Sequence, residues 1–112
     1  MTNEELNTAL YKKCFAEQEQ FKNWLLQQPP EEILHHAYEY TMREDILLSL
    51  ECNDLSDKEC TAMLQSPAPI DEVFNELEHQ ESNHMEHVWD MIRSRAHTRM
   101  REIFLRSQEE AR

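Results

Sequence analysis

The run from Pro69 to Arg106, PIDEVFNELEHQESNHMEHVWDMIRSRAHTRMREIFLR, is the longest stretch compatible with one helix, and it decides the fold class. Ile70, Phe74, Leu77, Val88, Ile92 and Ile103 fall at helical spacing and so share one face. Unbroken, such a helix would be about 55 Å long at a rise of about 1.5 Å per residue. The rest of the chain is therefore expected to pack around its first half and leave the remainder protruding. Ser82-Asn83 is the one weak point, since both are poor helix-interior residues, although no glycine or proline interrupts the run.

The rest of the composition agrees with helices. Glycine is absent, so no turn can rely on cheap positive φ, and the four prolines sit as Pro29-Pro30 and as Pro67 and Pro69. Good helix formers dominate, and β-branched residues never alternate with polar ones over a strand length. The expected fold is all-α: one domain over residues 1–112, a small bundle of four to five helices with a long, partly protruding C-terminal helix.

Outward from the long run, local signals place the other helices. Thr2-Asn3-Glu4-Glu5 has the form of a capping box, and Leu6, Leu10, Cys14, Phe21, Trp24 and Leu25 follow at helical spacing, predicting a helix over 3–27. Pro29-Pro30 stops it, while Pro30 suits the first turn of the next. Residues 31–52 read as one helix kinked near Tyr40 or as two short ones. Ile33, Leu34, Ala37, Tyr38 and Thr41 form its expected buried face, and Thr41-Met42-Arg43-Glu44 offers a second capping box ahead of Ile46, Leu47, Leu48 and Leu50. Ser56-Asp57-Lys58-Glu59 is a third, opening a helix over 57–65 with Cys60, Met63 and Leu64 inward. Ser66-Pro67-Ala68-Pro69 ends that helix, and the long helix is expected over 69–106.

Charge is unevenly placed. The net −12 divides into −6 over residues 1–52, −9 over 53–92 and +3 over 93–112, where six arginines gather. Such acidity argues against direct nucleic-acid binding by the globular body, because neutralising phosphates requires clustered Lys and Arg. No apolar run approaches the roughly 20 residues that span a bilayer. Three cysteines without Cys-x-x-Cys spacing, and no apolar signal segment after Met1, point to a reduced cytosolic compartment.

Two stretches, Pro29-Pro30-Glu31-Glu32-Ile33-Leu34 and Ala37-Tyr38-Glu39-Tyr40-Thr41, carry a resemblance together with Arg43-Glu44-Asp45-Ile46-Leu47 and Asn53-Asp54-Leu55-Ser56-Asp57. Over roughly Thr2 to Phe74 the chain resembles the family known as domain of unknown function 3848. That resemblance implies cargo of mobile and conjugative elements in gut bacteria. It implies no activity, cofactor or site residue.

Phosphate-binding loops and nucleophile elbows need glycines and are excluded. Cys14, Cys52 and Cys60 fall at core or core-edge positions, where a thiol serves packing rather than catalysis. No metal is expected. Glu32-x-x-His35, Glu76-x-x-His79 and Glu81-x-x-His84 match half of a di-iron motif, but Glu32 and His35 face solvent, so the ligands do not converge. A single site of Glu81, His84 and His87 is the only metal arrangement left, against the simpler reading of a solvated patch.

Beyond Ile92, Arg95 and Arg99 occupy the apolar stripe, and Met100, Ile103 and Phe104 supply a second, rotated strip. That strip is expected to bind a partner, a second copy included, with the arginine end of one chain beside the acidic middle of another. Glu72, Glu76, Glu86 and Asp90 recur along the outward side of the helix. The expected function is therefore a non-enzymatic, cofactor-free protein-protein interaction or accessory protein of a mobile element. The alternatives are an acidic inhibitor of a nucleic-acid-binding host enzyme acting by charge mimicry, of anti-restriction or anti-CRISPR type, and a helical metal-binding protein.

Overall fold

The computed structural model describes residues 1–80 and 84–111, with the backbone alone at Gln80 and His84. The described residues form six helices and no strand: α1 (Asn3–Leu26), α2 (Pro30–His35), α3 (Ala37–Cys52), α4 (Asp57–Leu64), α5 (Pro69–Gln80) and α6 (His84–Glu110). The protein is all-α. The chain divides into two compact units, Met1–Leu77 and Glu78–Arg112. The continuity of the long helix at Ser82-Asn83 lies outside the described residues.

Within the first unit the organiser is α1 rather than the start of the long run: α2, α3 and α4 all pack against it. Thr2, extended at φ −73° and ψ 163°, opens the helix by accepting the Glu5 N–H at 3.1 Å. Three polar side chains along α1 then fasten later segments. Asn7 accepts the Leu55 N–H at 2.9 Å and donates to the Leu55 carbonyl at 3.0 Å, which pins the turn between α3 and α4. Lys13 Nζ donates to the Leu64 carbonyl at 2.7 Å at the end of α4. Glu17 accepts the N–H groups of Ile70 and Asp71 at 2.8 and 2.9 Å, satisfying two donors that the first turn of α5 leaves open. Between these ties Leu10 and Cys14 meet Ile46, Leu47, Cys60, Ile70 and Phe74 in one core. Burying a side chain such as Leu10 or Ile70 contributes about 2 kcal/mol.

The prolines act as the sequence predicts: α1 ends at Leu26 and Pro30 opens α2. The break in the next segment falls at His36, not near Tyr40. Its backbone there (φ −101°, ψ 6°) leaves the helical region. Two expectations change with it. Thr41 is interior to α3 and donates its hydroxyl to the Ala37 carbonyl at 3.1 Å, so Thr41-Met42-Arg43-Glu44 is no capping box. Leu34, Ala37, Tyr38 and Thr41 are also exposed rather than buried, with only Ile33 half-buried, because the interruption resets the helical phase on which that face was counted. The inward face of α3 is Arg43, Ile46 and Leu47, and Leu48 points outward. On α1, Trp24 is exposed too.

Ser56 forms the predicted capping box in full: its side chain accepts the Glu59 N–H, and the Glu59 carboxylate accepts the Ser56 N–H. Cys14 and Cys60 are buried, but Cys52 is exposed, one residue before the chain turns out of α3. On α5, Ile70 and Phe74 are buried and Leu77 is half-buried; on α6, Ile92 and Ile103 are exposed. No helix among the described residues is long and apolar enough to cross a membrane.

Candidate functional site

The first unit carries an open apolar cleft of about 640 Å³. Such a volume lies within the roughly 300–1,000 Å³ typical of ligand sites. Its floor is Leu10 and Cys14 of α1, and its walls include Met42, Ile46 and Leu50 of α3, Met63 of α4 and Val73 and Leu77 of α5. Four helices, α1, α3, α4 and α5, build it. Asp45 and Glu59 stand among the lining residues as its charged members, and both are exposed. The carboxyl of Glu59 is held below the ordinary range by the Ser56 backbone N–H and hydroxyl, so it is ionised at neutral pH.

Cys14 forms floor rather than nucleophile. Burial pushes its thiol up to about 11, with the Glu17 charge adding to the shift, so no thiolate is present at neutral pH. Burial likewise raises the thiol of Cys60.

On the inward face of α3 lies a second cluster, centred on the buried Arg43. Its guanidinium donates to Glu39 at 2.9 and 3.0 Å and to Asp71 at 2.6 Å, and stands 3.6 Å from Glu17. The rings of Phe21 and Phe74 lie 4.6 and 5.4 Å from its central carbon, within cation–π range. One cation thus joins α1, α3 and α5. Its neighbour His36 contacts Glu39 at 3.1 Å and Glu32 at 3.7 Å, with its ring edge-on to Trp24. Arg43 and His36 thus have their polar atoms engaged with Glu17, Glu32, Glu39 and Asp71, and none of these groups lines the cleft. The cluster reads as an anchor that sets the position of α5, and hence of the cleft wall formed by Val73 and Leu77.

The family model described as Protein of unknown function (DUF3848) matches residues 6–100, most of the chain. The chain belongs to that family. The match covers every helix that builds the cleft, and it continues past Phe74, where the motifs quoted above end, through α6 as far as Met100. No curated protein and no solved structure matches the chain.

The sequence-derived candidates fall on α5 and α6 of this family chain. Glu72 and Glu76 are exposed on α5, and Glu86, Asp90, Arg95, Arg99, Met100, Ile103 and Phe104 are exposed on α6. His87 is exposed, Glu81 lies outside the described residues, and His84 is described by its backbone alone. Among the described residues no group of three or more His, Cys, Asp or Glu side chains could hold a metal ion. Sequence reasoning missed both the cleft and Arg43. The signal for Arg43 was available: an arginine on the face of Ile46 and Leu47, four residues after Glu39.

Proposed function

We propose that the protein is a non-enzymatic interaction protein whose cleft receives the apolar face of a helix flanked by basic residues. The resemblance suggests a setting, an accessory role in a mobile element. The observation that carries the reading is the cleft itself, apolar along its floor and walls and rimmed by Asp45 and Glu59. A helix laid in such a groove gains affinity from its apolar anchors at i, i+3, i+4 and i+7. The charge of the surrounding surface supplies specificity and approach: residues 1–77 carry sixteen acids against five bases, a net −11. The exposed carboxylates Glu72 and Glu76 add to that field, and the same acidity supports charge mimicry of nucleic acid as a second reading.

The test is the affinity of a synthetic helical peptide, with a Leu/Ile stripe and flanking arginines, for the full chain at 50 and 500 mM salt. Binding should weaken at high salt. Asp45→Asn and Glu59→Gln, the latter able to keep the capping bond, should each weaken it about two- to five-fold, the range of an exposed charge pair. Lack of binding at millimolar peptide would overturn the reading. Mimicry predicts instead competition with duplex DNA for a basic protein, lost when Glu72 and Glu76 become amides and unchanged in the Asp45 and Glu59 variants.

A further inference from the structure

Considered by itself, α6 carries an uncovered apolar stripe that complements the cleft. Met85, Trp89, Ile92, Ala96 and Ile103 fall at steps of four, three, four and seven, the spacing of a helix seam. Its four large members are 53–70% exposed. The flanks turn basic past Trp89: residues 93–106 hold five arginines against Glu102 alone, whereas Glu86 and Asp90 stand beside Met85 and Trp89. From Met85 to Ala96 the ridge is apolar, the chemistry that the cleft suits, and Arg99 interrupts it before Ile103.

We infer that the cleft of one copy takes α6 of a second copy, and that the exchange is reciprocal, closing a two-fold dimer. The inference rests on the reading of the cleft as a helix-binding groove. The obvious competitor is α6 against α6, and its electrostatics are poor. In a parallel pair Arg99, on the seam, would face its own counterpart. In an antiparallel pair that matches Met85 with Ile103, Trp89 with Arg99 and Ile92 with Ala96, Arg93 and Arg95 would each flank their own counterparts across the axis. Like charges meet either way, and juxtaposed like charges select against a pairing. The cleft offers the opposite sign at its rim, Asp45 and Glu59, on a unit of net −11. Reciprocal exchange also makes each contact occur twice, as a closed two-fold interface requires.

Sedimentation of the full chain from 1 to 200 µM tests this, with helicity of every variant checked by circular dichroism. Two variants use exposed positions. Trp89→Asp with Ile92→Asp breaks the stripe on α6, and Ser49→Arg with Ala62→Arg places cations at the mouth of the cleft. The wild-type chain should dimerise, more weakly at 500 mM salt than at 50 mM, and each variant alone should dimerise at least ten-fold more weakly. An equimolar mixture of the two variants should recover a dimer, because the intact cleft of one meets the intact stripe of the other. A cleft variant that dimerises like wild type, a mixture that recovers nothing, or a wild-type chain monomeric at 200 µM in low salt overturns the inference. A monomeric chain that still binds the basic peptide removes the dimer and leaves the proposed function standing; one that binds neither removes both.

Discussion

Replacing Arg43 by Met should be among the most damaging single changes outside the apolar core. The guanidinium side chain is 7% exposed, and its removal takes the cation from Glu39 and Glu17, whose side chains are only 21% and 15% exposed, leaving Glu39 with His36 and Glu17 with the Ile70 and Asp71 N–H groups. Removing one partner from a buried ion pair costs about 3–5 kcal/mol, because the remaining charge is left uncompensated. Here Asp71, at 49% exposure, rehydrates readily and reduces that figure. A loss of about 2–4 kcal/mol is expected, part of it from the contacts with Phe21 and Phe74. With a urea dependence of about 1 kcal/mol/M for so small a unit, the midpoint followed by circular dichroism should fall by about 2 M or more. Adding Glu39→Leu should recover part of the loss, since a neutral pair no longer strands a carboxylate. An Arg43→Met chain within about 0.5 kcal/mol of wild type would show that these carboxylates are hydrated already, and the anchor argument would fail.

Three further outcomes follow from the geometry. Glu17→Ala removes the acceptor for the Ile70 and Asp71 N–H groups and should cost about 1–2 kcal/mol, with Glu17→Gln costing roughly half; equal costs would exclude a capping role. At pH 8 a disulfide reagent should label one thiol quickly in the native chain, Cys52, and three after denaturation, because Cys14 and Cys60 are buried with raised thiols; fast labelling of Cys14 would contradict the packing of the cleft floor. Glu59 has a folded pKa below its unfolded value, so its contribution to the α4 cap is present above the ordinary glutamate pKa of about 4.3 and is lost as pH falls through the lower folded value. Its carboxyl carbon shift should titrate below that of an ordinary glutamate, and a midpoint at or above it would remove the capping argument.

What the sequence made legible were features with local causes. The stops at Pro29-Pro30 and Pro67-Ala68-Pro69 and the cap at Ser56 depend on residues within one turn of each other, and all three appear. The break at His36 is announced by no glycine or proline; its ring meets Glu32 and Glu39 and abuts Trp24 of α1. The sequence allowed two short helices here but put the break near Tyr40, and that displacement shifted the expected buried face, since a helical face survives only while its phase is continuous. Likewise, counting one stripe from Ile70 through Ile103 hides the separate seam of Met85, Trp89, Ile92 and Ala96, whose register belongs to α6 alone. The cleft had no sequence signal, because it is a gap between four helices, visible only once Asn7, Lys13 and Glu17 have fixed α4 and α5 against α1.

The methionines give the most direct test of the cleft as a binding surface. Met42 and Met63 line it, whereas Met1 of the N-terminus and Met85, Met91 and Met100 of α6 do not. With the six methionine methyl groups labelled with carbon-13 in the full chain, titration with the basic amphipathic peptide should move the Met42 and Met63 signals together, saturably and less at 500 mM salt, while Met1 stays in place. Peptide that leaves both cleft methyls unmoved at millimolar concentration, or that moves only the methyls of α6, would contradict the account.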